Sequence, residues 1–290
     1  MSDYLCNLIV PGAAKSGTSS LHGILSRHPN VAMSRPKEPQ FFSFDDLYSK
    51  GFNYHNSLFE DADVDTSVYG ESSQSYFVHQ RAIDRIQKSL DKPKIIILLR
   101  DPLERLLSHY RWNYKLAVET ASLESALQER GDDTSYSFDP KVNMYRENGG
   151  YLAFSRYSKY VPRWKSVFGD ENVLLLRTDD LKSDQQGVAS ACFRFLGLND
   201  HLIEEKVRQN STSTTTRLFD SRPWYLSAPA SILPESIKQA KLYHKVRTKI
   251  FELLTPSPPE SIPPSLRRYV SRELEEDMAF YSRVSCVGSG

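Results

Sequence analysis

Cysteine is scarce: Cys6, Cys192 and Cys286 stand far apart with no histidine clusters beside them. That excludes a disulfide framework and a cysteine–histidine zinc site, and leaves the three as small apolar residues of the interior. Long apolar runs are lacking too. The longest uninterrupted aliphatic stretch is Ile95 to Leu99, far below the ~18 residues that a membrane-spanning helix needs. Neither sign of charge is in excess, because 37 Lys and Arg against 36 Asp and Glu leave +1. A protein that holds nucleic acid through its phosphates carries a strong basic excess, so no nucleic-acid partner is expected and any basic site must be local. The start, Met1-Ser2-Asp3 and then a stretch interrupted by Asn7 and Pro11, lacks the basic opening and clean apolar segment of a secretory signal. The expectation is a cytoplasmic chain, or a domain excised from something larger.

What is present suits a packed interior: 39% of the 290 residues are hydrophobic, including 14 Phe, 16 Tyr and 3 Trp, which argues against disorder. Short apolar runs alternate with amphipathic stretches of helical length, the pattern of a parallel sheet with helices on both faces. Strands are expected at Tyr4–Pro11, Val68–Glu71, Lys94–Arg100 and Asn172–Arg177. The third, apolar on consecutive residues, reads as central. Helices are expected at Thr18–Arg27, His79–Leu90, Pro102–Ala117, Tyr151–Phe168 and Gln185–Leu196, the third capped by Asp101 with Pro102 in its first turn. After Gly197 the texture changes. Asn210–Arg217 is a polar run that reads as a loop over a site, Pro256–Pro264 is a proline-rich connector, and helices near Ile237–Leu254 and Leu266–Tyr281 are expected outside the sheet. The fold class is α/β, a P-loop-like parallel sheet flanked by helices. It forms one domain over 1–290, with the α/β core in 1–200 and a loop and C-terminal helices in 201–290.

The first strand runs through Gly12-Ala13-Ala14-Lys15-Ser16-Gly17-Thr18-Ser19 into a helix, so backbone N–H groups, a positive helix end, a Lys and three hydroxyls share one spot. That is an anion cradle. It differs from a Walker loop because Lys15 precedes the second Gly and Thr18 stands where that Lys would be, so a nucleotide phosphate is implied without the magnesium-holding arrangement, and no metal is expected. The third strand ends in Arg100-Asp101-Pro102, where open parallel sheets bind ligands. A Walker B strand would present an Asp first. Arg100 suits a second anion instead, and the ligand expected has two anionic ends. Arg105 and Arg111, farther along the same helix, read as residues of a solvated face.

Four segments, Gly12–Val31, KEPQFFSF (Lys37–Phe44), GESSQSYF (Gly70–Phe77) and Ile95–Asn113, resemble the sulfotransferases that use 3'-phosphoadenosine 5'-phosphosulfate (PAPS). The branch they resemble holds the heparan sulfate sulfotransferases and their bacterial and polyketide-synthase-associated relatives. The likeness thins after about residue 200. It implies that Lys15, Ser16, Gly17, Thr18 and Ser19 hold the 5'-phosphosulfate. Arg100 and Ser108 would bind the 3'-phosphate, and Arg217 would be a further donor contact. Adenosine 3',5'-bisphosphate (PAP) would be the product, and neither a metal nor a covalent intermediate is required.

The same resemblance implies that Glu38 is the base that takes the acceptor's proton, fixed and partly desolvated by Lys37, Pro39, Phe41 and Phe42. Lys15 would stabilise the transferring and departing charge. His22, His79 and His109 are rival bases that read as structural or exposed. Where heparan-type enzymes carry a Lys, this chain has Glu71-Ser72-Ser73, which argues against an anionic polysaccharide acceptor. A small molecule, a carrier-protein-bound β-hydroxyacyl chain or a glycan remain the acceptor classes. The alternatives are a kinase-like enzyme that uses ATP and magnesium, and a nucleotide-binding domain without turnover.

Overall fold

The computed structural model describes residues 3–115, 118–139, 144–204 and 262–285. The run Asn210–Arg217 with Arg217 itself, the helix expected at Ile237–Leu254, and Cys286 lie outside the described residues. Five parallel strands, β1 (Leu8–Gly12), β2 (Val31–Met33), β3 (Val68–Ser72), β4 (Lys94–Leu99) and β7 (Val173–Arg177), form a sheet in the order β2-β3-β1-β4-β7. An antiparallel ribbon, β5 (Tyr136–Asp139) with β6 (Met144–Glu147), stands apart from it. The helices are α1 (Thr18–Leu25), α2 (Asp45–Tyr48), α3 (Gly51–Asn56), α4 (Gln80–Ser89), α5 (Pro102–Lys115), α6 (Leu123–Arg130), α7 (Tyr157–Phe168), α8 (Thr178–Ser183), α9 (Gln185–Phe195), α10 (Pro264–Glu273) and α11 (Glu275–Ser282).

Alternation along the strands explains why β4 is apolar at every step from Ile95 to Leu99. Ile95, Ile97 and Leu99 enter a core with Ala82, Ile83 and Ile86 of α4 and with Tyr157, Val161 and Trp164 of α7. Ile96 and Leu98 enter the opposite core with Leu21 and Ile24 of α1 and with Val188, Cys192 and Phe193 of α9. A strand covered on both faces favours apolar residues on consecutive positions. β4 is such an inner strand, although the middle place belongs to β1. All four expected strands are present; β2, of three residues, is too short to show a period.

Two helices depart from expectation for identifiable reasons. The stretch expected as one helix over Tyr151–Phe168 begins as a 3-10 turn at Ala153–Ser155, and α7 starts only at Tyr157. The Tyr151 carbonyl, which an α-helix would offer to the Ser155 N–H, instead accepts from Arg105 at 2.5 Å. Near the C-terminus the expected helix Leu266–Tyr281 breaks at Leu274 into α10 and α11. The break lets Val270 and Leu274 pack against α5 and α6 while Tyr281 reaches the core beside α7. Asp101 caps α5 as expected, accepting from the Glu104 N–H at 2.9 Å. No helix among the described residues is long and apolar enough to cross a membrane.

Trp164 is fully buried, and its Nε1–H donates to the Phe77 carbonyl at 3.2 Å, tying α7 to the segment after β3. Trp164→Ala is expected to lower the unfolding free energy by about 3–5 kcal/mol, measurable by urea denaturation.

Candidate active site

β1 and β4 are neighbours whose connections leave toward opposite sides of the sheet, and such a crevice at the carboxyl ends of strands is where open sheets bind ligands. The loop after β1 is held there by the Ala13 N–H, which donates to the Leu98 carbonyl of β4 at 2.8 Å. The Thr178 hydroxyl donates to the Ser16 carbonyl at 2.6 Å from the other side. Gly17 caps α1 at φ 99°, a conformation that only glycine adopts without strain. The loop thus presents the N-terminus of α1, with Thr18 buried and Ser19 half-buried in its first turn.

Lys15 sits at φ 65° in that loop, Glu38 at 63° and Gln40 at 55° in the segment after β2. Left-handed backbone costs a non-glycine residue about 1–3 kcal/mol and persists only where the surroundings fix it. The Lys15 ammonium lies 3.8 Å from the centre of the Trp112 ring, a cation–π contact. Burial pulls its pKa down to about 8. The Glu147 and Glu38 carboxylates oppose that shift, and Arg100 and Arg105 add to it. Arg100 reaches the same loop, donating to the Lys15 carbonyl at 3.3 Å, and lies 3.6 Å from Glu104. Ser108 is half-buried on α5, eight residues past Arg100. The two expected anion contacts, Lys15 and Arg100, therefore share one mouth.

Glu38 is held from three directions. Its N–H donates to the Ser72 carbonyl at 3.0 Å, Lys37 Nζ lies 2.5 Å from Oε1, and the Gln74 N–H donates to Oε2 at 3.2 Å. Phe41 and Phe42 are fully buried. The Gln40 amide pairs with Tyr145 in both senses: Nε2 donates to the Tyr145 carbonyl at 3.0 Å, and Oε1 accepts from the Tyr145 N–H at 3.1 Å. With Phe44 stacked on Tyr145 at 3.6 Å, this docks the β5–β6 ribbon beside Glu38.

The solvated-face reading of Arg105 is wrong. Arg105 is fully buried; its Nε donates to Ser155 Oγ at 2.7 Å, and a terminal nitrogen donates to His109 Nδ1 at 3.2 Å. His109 Nε2 in turn lies 2.9 Å from Glu147 Oε1. Because Nδ1 accepts, the proton of His109 is on Nε2 and is directed at the carboxylate. Burial holds His109 below the usual histidine range against the opposing hydrogen bond and charge of Glu147, with Arg105 and Lys15 also acting downward. Burial would raise the Glu147 pKa, but the hydrogen bond from His109 and the nearby Lys15 bring it down to about 2. His22, pulled down to about 4 chiefly by burial, contacts Ser72 Oγ at 3.0 Å; His79 contacts the Thr134 carbonyl at 3.3 Å. Sequence reasoning missed Glu147 and Tyr136, which lie on four-residue strands with no readable period. Trp112 stood inside a quoted segment without a role. No group of three or more His, Cys, Asp or Glu among the described residues is placed to hold a metal ion.

A family model described as a sulfotransferase domain matches residues 6–225. The chain is similar to bifunctional heparan sulfate N-deacetylase/N-sulfotransferase 1 of Caenorhabditis elegans, 26% identical over 228 residues, which covers 75% of this chain and 25% of that protein. It is also similar to heparan sulfate glucosamine 3-O-sulfotransferase 5 of Mus musculus, 27% identical over 209 residues, 70% of this chain and 57% of the relative. The chain thus spans from a quarter to a little over half the length of these curated relatives. The crystal structure of a sulfotransferase from Alicyclobacillus acidocaldarius superposes with a TM-score of 0.61 at 26% identity, over 74% of this chain and 90% of that one.

The Glu147 carboxyl, lowered from 4.5 to about 2 in the folded chain, contributes stability above its unfolded pKa and loses it as pH falls through the folded one. Unfolding should therefore take up one more proton in the parent than in Glu147→Gln between pH 4.5 and 2. Urea titrations across that window should give a parent slope of stability against pH steeper by up to about 1.4 kcal/mol per pH unit.

Proposed function

The chain belongs to the sulfotransferase domain family, and from that premise we propose that it moves a sulfonate group from PAPS to the hydroxyl or amine of an acceptor. The observation that carries this reading is the convergence of two cationic side chains, Lys15 and Arg100, on one crevice beside the helix N-terminus of α1. Those residues fit a donor with two anionic ends. Lys15 and the loop N–H groups would face the 5'-phosphosulfate, with Ser16, Gly17, Thr18 and Ser19 around it. Arg100 and Ser108 would meet the 3'-phosphate, with Arg217 as a further contact.

The donor supplies an activated sulfonate; the chain's residues do the rest. Glu38 takes the proton of the attacking hydroxyl or amine as the new bond to sulfur forms. The bond from sulfur to the phosphate oxygen breaks, and Lys15 with the loop N–H groups balances the charge left on that oxygen, stabilisation that counts most where charge develops. Lys37 and the Gln74 N–H keep Glu38 oriented for this role. The acceptor is a small molecule, a carrier-bound acyl chain or a glycan.

Adenosine 3',5'-bisphosphate should raise the melting temperature well above the effect of ADP, or of ATP with magnesium, at equal concentration, because a ligand stabilises the state that binds it. The largest shift with ATP and magnesium would overturn the reading in favour of a kinase-like enzyme. For the base, Glu38→Gln should leave bisphosphate affinity near that of the parent while single-turnover transfer falls by roughly 100-fold or more. A parent-like rate in that variant, measured on protein whose donor binding is intact, would remove Glu38 from the role.

A further inference from the structure

The β5–β6 ribbon brings together two polar side chains that the reaction as written does not use. Tyr136 and Glu147 are direct cross-strand partners, so both project from the same face of the ribbon. The Tyr136 ring is lodged among Phe44, His79 and Phe154, with centroids at 5.7, 4.9 and 6.0 Å. Its hydroxyl is buried and has no hydrogen-bond partner among the described residues, although Glu147, Glu38 and Arg105 all lie close enough to act on it electrostatically. A buried hydroxyl left unpaired costs about 1–3 kcal/mol, which marks this one as prepared for a partner that comes from outside the chain. Glu147 is equally constrained, since His109 fixes it and Arg105 fixes His109. Both groups share their surroundings with Lys15 and Glu38.

Resting on the sulfotransferase reading, we propose that Tyr136 and Glu147 bind the acceptor and select a neutral or cationic alcohol or phenol. An attacking hydroxyl has two lone pairs and one proton. One pair goes to sulfur, the proton goes to Glu38, and the second pair accepts a hydrogen bond from Tyr136. A neutral amine has only the lone pair it attacks with, so the Tyr136 hydroxyl favours oxygen over nitrogen. Burial, with Glu147 and Glu38 adding to it, keeps the phenol protonated and therefore a donor. Glu147 accepts from a further hydroxyl or ammonium of the acceptor and, with Glu38, repels an acceptor that carries an acid beside its nucleophile. On the same face of the ribbon, Phe138 and Tyr145 meet edge to face at 5.2 Å, and Phe138 is 47% exposed, a surface suited to an aromatic frame.

Three phenols that share a nucleophile and differ in tail charge test this: 4-ethylphenol, tyramine and 4-hydroxyphenylacetate, with PAPS saturating and sulfonated product measured by mass spectrometry. The parent should turn over the acid with a kcat/KM at least about tenfold below the other two, and Glu147→Gln should narrow that gap to about threefold. Glu147→Asp, which keeps the charge, should keep the gap. Tyr136→Phe should raise KM for all three by about fivefold or more while bisphosphate affinity by calorimetry stays within about twofold, the signature of lost acceptor binding. The proposal is overturned by equal use of the acid and neutral phenols, by an unchanged gap in Glu147→Gln, or by turnover of none of the three in a chain that binds bisphosphate. A parent that fails to bind bisphosphate would instead sink the sulfotransferase reading on which the proposal rests.

Discussion

An ammonium group in a largely buried loop loses most of its hydration, and the arrangement around Lys15 follows from that cost. Two carboxylates, Glu147 and Glu38, offset part of it, and the Trp112 ring offers its negative face to the same charge. Two other cations, Arg100 and Arg105, work against it. The ammonium is therefore held near the limit of its protonated range, in a spot poor in water, where an arriving anion gains more from it than at an exposed surface. Each neighbour carries constraints of its own. Glu147 needs His109, and His109 needs Arg105. Arg105 in turn takes the Tyr151 carbonyl and so sets where α7 begins. A single charge requirement in the loop after β1 thus reaches into the helical layer on the far side of α5.

The segment after β2 is organised by a different rule. Glu38 and Gln40 both adopt left-handed backbone, which turns their side chains toward partners that an extended strand could not reach. Gln40 serves as a short piece of sheet: one amide offers a donor and an acceptor to the backbone of Tyr145 in the way a neighbouring strand would. The buried Phe41 and Phe42 anchor the same segment in the core beside His55, with which both rings are in contact. Position and orientation of the carboxylate are thereby set by packing on one side and by backbone hydrogen bonds on the other.

The architecture was legible in the sequence where apolar residues recur with a clear period. β4 reads as an inner strand because both faces of it are buried, and α5 reads as a helix because Asp101 and Pro102 mark its start. The turn from β1 into α1 was legible because Lys15, Gly17 and the hydroxyls follow a strand and open a helix. What stayed hidden depends on contacts between distant parts of the chain. Arg105 has the spacing of a surface residue, and only the fold shows that Ser155, His109 and Tyr151 consume its donors. Tyr136 and Glu147 sit on strands of four residues, too short to show a period, and their facing register is a property of the ribbon alone. The break at Leu274 is likewise set by two separate cores competing for one helical stretch.

Helix α5 has a mechanical consequence. It begins two residues after Arg100, and one face of it carries Arg105, His109 and Trp112, so the same rod meets the loop after β1 through Trp112 and, one turn earlier, braces the ribbon through His109 and Glu147. A rod cannot yield at one contact while staying still at the other. A small tilt that improves the fit to one bound molecule is transmitted as a displacement at the second contact, and by thermodynamic reciprocity occupancy at either place alters affinity at the other by the same factor.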